Sequence, residues 1–278
     1  MLPLLFRRAL ATIAASALLA TAPAAAHIRM LGTENLEMLA EGQYQLELGA
    51  ELRRDESFPL SGLTGDYLQL GNISFEKALG KDAFFFVRGT PYQRLSIDRR
   101  AAAPNTPNLT FTGNTTDAVG NFTFGTKLRF SRTSAESAGF GFQFAVEMPN
   151  TPNETGLGND ETNFFGTFIG EIMAGDTTLF ANLGLGILGI PTALSSQSDK
   201  ILWGVGFASP ISDDLELIGD VSGRSGSENP GTEDRGTAHL GVRSTAGDWQ
   251  WDVGFLHGIE AADADWGLTA GLTHRWGR

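Results

Sequence analysis

Large apolar residues alternate with small or polar residues along segments of roughly ten residues from Tyr44 to Trp276, and a turn follows each segment. Between Phe140 and Met148 every second residue is large and apolar, while glycine, glutamine, alanine and glutamate lie between them. This two-residue period is that of a β-strand with one apolar face. Alternating segments of this length, separated by turns, are the signature of a transmembrane β-barrel.

The alternation predicts twelve strands. Their predicted bounds are 43–53, 66–77, 82–97, 119–131, 138–148, 161–173, 176–188, 200–210, 214–223, 235–245, 248–257 and 265–276. An even number is what a bacterial single-chain barrel requires when both chain ends lie in the periplasm. The predicted fold is therefore all-β, an antiparallel up-and-down barrel that spans a membrane.

The predicted connections alternate in length. The longer ones are 54–65, 98–118, 149–160, 189–199, 224–234 and 258–264, and the shorter ones are 78–81, 132–137, 174–175, 211–213 and 246–247. Outer-membrane barrels have short periplasmic turns and longer external loops, whereas a soluble β-sandwich has no reason to alternate them. The second strand changes phase between Leu70 and Ile73, and a β-bulge near Gly71 would restore its apolar face.

The first 26 residues have the three parts of a secretory signal peptide: Arg7 and Arg8, an apolar stretch, and Ala24 to Ala26 before His27. The predicted organisation is a signal peptide at 1–26, a periplasmic N-terminal segment at 27–41 and an outer-membrane barrel at 42–278. The predicted location is the bacterial outer membrane, with lipid and the barrel assembly machinery as partners.

Composition narrows the function classes. The chain has no cysteine, so neither disulfides nor thiolate chemistry are expected. Loss of Arg7 and Arg8 with the leader would take the formal charge from −12 to −14. A chain with this much negative charge would be repelled by the phosphates of nucleic acid. Nucleic acid is therefore excluded as a partner.

Charged residues of both signs alternate with the apolar face and are expected to point into the lumen. The candidates for a pore lining are Glu47, Lys127, Arg129, Glu147, Glu216, Asp220 and Arg243. Two interpretations remain open, because eight strands leave no channel, sixteen do, and twelve lie between. The charges either line a pore or pair with one another and keep a small barrel closed. Inward glycines such as Gly141 and Gly254 either widen the lumen or relieve strain in the sheet.

Catalytic and metal motifs are weak. A barrel lipase would need a Ser and a His on one strand, typically as His-x-Ser, and none of the four histidines has a serine two positions on. Asn159, Asp160 and Glu161 could hold Ca²⁺, although a solvated loop explains them better. We expect no enzyme activity, no metal and no cofactor.

Several strings resemble a known family. They are 120–130 (GNFTFGTKLRF), 144–150 (FAVEMPN), 156–162 (GLGNDET), 181–188 (ANLGLGIL) and 39–49 (LAEGQYQLELG). They are similar to the outer-membrane barrels named for the MetA pathway of phenol degradation, over roughly Glu41 to the C-terminus. The resemblance implies a transporter-like channel for aromatic or other hydrophobic small molecules, and it assigns no site residue.

The function expected from the sequence is passive uptake or efflux of small solutes through the outer membrane. The alternative is a closed structural or adhesive barrel that acts through its external loops, above all 98–118. The solute and the oligomeric state do not follow from the sequence.

Overall fold

The computed structural model describes residues 29–132, 138–192 and 196–277, so the predicted signal peptide lies outside the described residues. One antiparallel sheet contains fourteen strand segments among the described residues. They are β1 (Gln43–Phe58), β2 (Leu63–Gly80), β3 (Ala83–Gly89), β4 (Tyr92–Arg100), β5 (Thr115–Ala118), β6 (Phe122–Arg132), β7 (Ala138–Met148), β8 (Asn163–Ala174), β9 (Thr177–Gly189), β10 (Gln197–Ser212), β11 (Leu215–Gly226), β12 (Arg235–Ala246), β13 (Trp249–Gly258) and β14 (Trp266–Gly277).

The fourteen segments form twelve wall strands. One half of β2 pairs with β3 and the other half with β4, while β3 pairs with β6 and β4 with β5. Thus β3 and β4 are one wall strand interrupted at Thr90 and Pro91, where proline has no N–H to donate. Segments β5 and β6 are likewise one wall strand. Because β1 pairs with both β14 and β2, the sheet closes, and the prediction of a twelve-stranded barrel is confirmed.

Burial is inverted relative to a water-soluble protein. Leu183 and Leu185 are 63% and 64% exposed on the outer surface, whereas inward-facing Lys127 is 0% exposed. Aromatic rings lie near strand ends on the outer surface: Tyr44 stacks on Trp276, with ring centroids 5.8 Å apart. Such rings suit the boundary between lipid and water. Among the described helices, none has the length and apolar character needed to cross a bilayer.

The connections alternate in length, with one exception. We call the end with the links 81–82, 175–176, 213–214 and 247–248 the turn end, and the opposite end the loop end. The loop-end connections are 59–62, 101–114, 149–162, 190–196, 227–234 and 259–265. The predicted loop 54–65 is wrong, because most of it is strand and only 59–62 connects β1 to β2.

The sequence misplaced that loop because β1 and β2 rise beyond the apolar band. They have 16 and 18 residues, whereas a barrel strand needs about 9–11 to cross a bilayer. Above the band the outward residues are charged: Arg54 pairs with Asp66 on the neighbouring strand at 2.7 Å. A charged outer face removes the apolar alternation that predicts a strand.

The predicted bulge is present at Gly71. The register of β1 against β2 skips this residue, and its φ is +73°. Glycine adopts positive φ without the steric penalty of a side chain. The bulge lets Leu70 and Ile73, which differ in sequence phase, belong to one continuous strand.

The loop-end connections fold over the barrel mouth. Leu109, Phe111 and Leu157 pack against a buried cluster on β2 and β4 that consists of Leu63, Tyr67, Leu95 and Ile97. Hydrogen bonds join the loops as well: the Asn105 Nδ2 donates to the carbonyl of Asn153 at 2.6 Å. The long loop expected to act outside the cell therefore has its apolar side chains turned inward.

Candidate functional site in the barrel lumen

A segment ahead of β1 occupies the lumen. We call residues 29–42 the plug. Met30, Leu31, Leu36 and Leu39 of the plug are at most 5% exposed, although the plug has no regular secondary structure. The sequence predicted a periplasmic N-terminal segment at 27–41, and of this range the described residues 29–41 lie inside the barrel.

Arg29 anchors the plug to β13 and β14. Its Nε lies 3.0 Å from Asp252 Oδ2, its Nη2 pairs with Asp252 Oδ1, and the same Nη2 donates to Thr269 Oγ1 at 3.1 Å. Both partners of the ion pair are buried, with side-chain exposures of 7% and 5%. A two-point guanidinium–carboxylate contact fixes orientation as well as distance.

Thr33 forms a second anchor, on β11. The Thr33 backbone N–H and side-chain hydroxyl both donate to Asp220 Oδ2 at 2.7 Å. The other carboxylate oxygen of Asp220 lies 2.8 Å from His239 Nδ1. One aspartate therefore joins the plug to two wall strands.

Glu34 forms the third anchor, on the opposite wall. Lys127 Nζ lies 2.6 Å from Glu34 Oε2, and Arg88 pairs with Oε1. The backbone of Glu34 also exchanges two hydrogen bonds with the Asn182 side chain, at 2.7 and 2.8 Å. Because β3, β6 and β9 carry these partners and β13 carries Asp252, the plug crosses the full width of the lumen.

Apolar contacts fill the gaps between the anchors. Met30 and Leu31 pack with Phe180, Ala208 and Ile218, and Leu39 packs with Phe84 and Phe86 on the other side. A β-carbon at Gly254 would overlap Met30 Cε, and one at Gly204 would lie 2.5 Å from Thr33 Oγ1. Inward glycines at these positions therefore make room for plug side chains, which is neither of the two roles considered from the sequence.

The seven candidate lining residues all lie on the inner face but do different things. Lys127 and Asp220 bind the plug, as described above. Glu47 is 1% exposed and accepts a hydrogen bond from Gln45 Nε2 at 2.8 Å. Arg243 pairs with Glu216 at 2.7 Å, and Arg129 pairs with Asp82 at the turn end, also at 2.7 Å.

Among the described residues, Glu47 and Glu147 are the two of the seven that border a cavity without forming an ion pair, and Glu147 borders the cavity of about 680 Å³. That these seven residues line a conducting pore stays a prediction. The plug residues Arg29, Thr33 and Glu34 were missed, because their segment has no period. The signal that could have found them is the density of large apolar residues from Met30 to Leu39, which a segment free in water would leave exposed.

A cavity of about 680 Å³ lies between the plug and the loop end. Its lining mixes apolar Phe86, Phe165 and Leu202 with charged residues of both signs. A second cavity of about 170 Å³ lies beneath the loops and includes Leu157 and Leu188 in its lining. The lumen is thus filled at the plug and hollow on its loop side.

The candidate Ca²⁺ residues of the loop 149–162 are used by the loop itself. Asp160 Oδ1 accepts the backbone N–H of Asn153 at 3.1 Å, and Asn159 Oδ1 accepts that of Glu161 at 3.2 Å. Over the described residues, no group of three or more His, Cys, Asp or Glu side chains is arranged to hold a metal ion.

The architecture resembles solved outer-membrane channels. The COG4313 outer membrane channel from Pseudomonas putida F1 matches with a TM-score of 0.64 and 12% identity, covering 88% of this chain and all of that one. The KdgM porin in complex with disordered oligogalacturonate matches with a TM-score of 0.50 and 7% identity, covering 83% and 98% of the two chains. The shared fold is that of an outer-membrane barrel.

No family model and no curated protein matches the chain. The comparisons therefore support an outer-membrane barrel but do not confirm the name taken from the MetA pathway of phenol degradation.

The prediction that the chain is not an enzyme does not stand. Structures of OmpT, an outer membrane protein of Vibrio cholerae, also match, with TM-scores of 0.43 and 0.42 at 11% identity, and cover 85% and 86% of this chain. Likeness at this level carries no argument about chemistry in either direction. The matches are thus not confined to proteins described as channels, and absence of enzymatic activity is not a conclusion that the fold allows.

Proposed function

We propose that this protein is a channel of the bacterial outer membrane whose lumen carries small solutes when the plug is displaced. In such barrels the turn end faces the periplasm and the loop end faces outward. The observation that carries the proposal is the combination of a hollow, charged outer half of the lumen with a plug held only by noncovalent contacts. A barrel that served as a structural wall alone would need no cavity of this size.

The contacts of the plug are suited to release. Three anchors hold it through Asp252, Asp220 and Glu34, and each consists of ion pairs or hydrogen bonds that water can replace once the segment moves. The glycines that accommodate Met30 and Thr33 would then leave open space in the lumen. The same inner wall would serve as a plugged lumen at rest and as a pore lining on opening.

The cavity favours solutes with both apolar and polar parts. Phe86, Phe165 and Leu202 offer an apolar surface beside charged groups. This lining is compatible with the aromatic or hydrophobic solutes that the sequence resemblance implies, provided that they carry a polar group. Lipid would surround the outer face, and the barrel assembly machinery would insert the chain.

A disulfide can test whether plug movement controls flux. A β-carbon at Gly32 in the plug would lie 3.3 Å from Ser222 Cβ on β11, close to the roughly 3.5–4.5 Å separation in disulfides. The chain has no native cysteine, so the Gly32→Cys, Ser222→Cys double variant would form only this bridge. We expect the oxidised variant to block ion conductance in planar bilayers and solute entry into liposomes, and reduction to restore both.

The two single-cysteine variants serve as controls, because neither should respond to oxidant or reductant. If the oxidised double variant conducts as well as the reduced one, ions do not depend on displacement of the plug to cross the barrel. If the reduced variant and the unmodified protein both keep vesicles tight to ions and small solutes, the channel proposal itself is wrong.

A further inference from the structure

Three charged residues line two of the cavities in the lumen. The cavity of about 680 Å³ next to the plug and the cavity of about 170 Å³ beneath the loops share Glu147, Arg224 and Arg235. These residues project from β7, β11 and β12. A solute that passes from the loops toward the plug therefore passes these three side chains, which we call the eyelet.

Most charges around the larger cavity are already neutralised. Arg53 pairs with Glu51 at 2.5 Å, and Arg88 pairs with Glu34 and Glu76. In the eyelet itself, Arg235 is held by Glu56 at 2.6 Å and by Asp263 at 3.4 Å. Ion pairs of this kind leave little charge available to a solute.

Arg224 and Glu147 are different. Over the described part of the chain, neither forms an ion pair, although both side chains border the same two cavities. Arg224 Nε donates to the carbonyl of Glu233 at 3.1 Å, and no hydrogen bond uses its two Nη groups. Glu147 accepts one hydrogen bond, from Asn163 Nδ2 at 2.7 Å through Oε1, so Oε2 has no protein donor.

A cation and an anion with unused hydrogen-bonding capacity thus border the same opening without pairing with each other. This arrangement suits a solute that carries both charges, since a guanidinium takes a carboxylate through two parallel hydrogen bonds. An anion bound to Arg224 would be opposed by Glu147, and a cation bound to Glu147 would be opposed by Arg224. A zwitterion meets neither repulsion.

We propose that Arg224 and Glu147 form a binding site for small zwitterionic solutes, with the carboxylate on Arg224 and the ammonium group on Glu147. Leu202, which pairs with Arg224 across β10 and β11, and Phe165 supply an apolar surface for the chain between the two charges. This inference rests on the proposed channel function and names a solute class for it.

Three probes of similar size separate the possibilities: 4-aminobutyrate carries both charges, butyrate only the negative one and butylamine only the positive one. Binding to the full mature protein in detergent is measured by calorimetry and by ligand-observed NMR. We expect 4-aminobutyrate to bind at least about tenfold more tightly than either single-charge probe, since loss of one charge-assisted contact costs that much or more.

Two variants assign the roles. Arg224→Gln should reduce the affinity for 4-aminobutyrate to that for butylamine, and Glu147→Gln should reduce it to that for butyrate. Arg94→Gln and Glu154→Gln are matched controls, because both residues are exposed, neither forms an ion pair and neither lines the cavities. The controls should bind like the unmodified protein.

A double exchange, Arg224→Glu with Glu147→Arg, should recover most of the zwitterion affinity with the solute reversed, which a purely structural role of Arg224 in holding Glu233 would not allow. Equal binding of butyrate and 4-aminobutyrate, or unchanged binding in both single variants, would overturn the inference. Binding needs no flux, so its failure leaves the disulfide test of the channel unaffected, and the reverse also holds.

Discussion

Asp252 shows how much of the resting state depends on single residues. Its carboxylate is the only ion-pair partner of Arg29 within the described chain, and both groups are buried. Asp252→Asn would remove the ion-pair partner of the Arg29 guanidinium in the lumen, and breaking a buried pair costs about 3 kcal/mol. The plug should therefore leave its seat more often, and the open probability in planar bilayers should rise by an order of magnitude or more.

Asp66→Asn is the matched control for that substitution. Asp66 pairs with Arg54 at 2.7 Å on the outer surface, where both side chains are partly exposed and the pair contributes little. Equal conductance of the two variants would mean that the Arg29 anchor does not hold the plug.

Gly271 is a second residue on which the position of the Arg29 side chain depends. A β-carbon there would overlap the Arg29 guanidinium, whereas one at Gly170, which faces outward on β8, would meet nothing nearer than 3.9 Å. We expect Gly271→Ala to displace Arg29 and make its peptide bond accessible to trypsin in the folded protein. Gly170→Ala should be cleaved at the rate of the unmodified chain, and slow cleavage of both would contradict this explanation of the glycine.

At the scale of elements, the sequence predicts strand bounds well where the outer face of the strand is apolar. The predicted bounds of β7 and the structure agree at 138–148, because Phe140, Phe142 and Phe144 alternate without interruption. The lower part of β1 is predicted, but its extension to Phe58 is not, since Arg54 and Asp55 occupy the region above the apolar band. The break at Pro91 was missed because apolar alternation continues on both sides of it.

The plug could not be predicted by periodicity, because its contacts are set by the curvature of the wall rather than by a repeat in its own sequence. Thr33 reaches Asp220 and Glu34 reaches Lys127 only because closure of the barrel brings β11 and β6 to face the same segment. Of the candidate site, sequence reasoning therefore found wall residues on the inner face and missed what they bind.

The bulge in β2 gives a prediction for an element. Gly71→Ala places a side chain at φ +73° with free space around it, since the nearest atoms, in Pro91, lie 3.8 Å away. The cost is thus conformational, about 1 kcal/mol. Urea unfolding in lipid vesicles should show this loss, and Gly113→Ala, which has neither positive φ nor close neighbours, should show none. If Gly71→Ala leaves the free energy of unfolding unchanged, the backbone of the bulge can relax to accept a side chain.

For the whole molecule, we expect the depth of an outward-facing residue in the membrane to decide how much stability is lost when it is replaced by a charged residue. Val205 lies in the middle of β10 and Ile211 near its turn end, and they are 59% and 58% exposed on the outer face. Val205→Arg should destabilise the barrel in lipid by about 2–4 kcal/mol, whereas Ile211→Arg at the interface should cost at most about 1 kcal/mol. Equal free energies of unfolding would mean that this surface is not buried in acyl chains.

The position of the plug directly before β1 constrains how the protein can be made. Strand β1 completes the ring by pairing with β14, the last strand of the chain, and the plug joins β1 at Gln43 on the turn end. Its residues are translated before any wall strand, yet they finish inside a cylinder that exists only after the final pairing. Because the leading segment is continuous with the strand at the seam, it is positioned to enter the lumen as the ring closes, and we expect a newly assembled barrel to have its lumen filled.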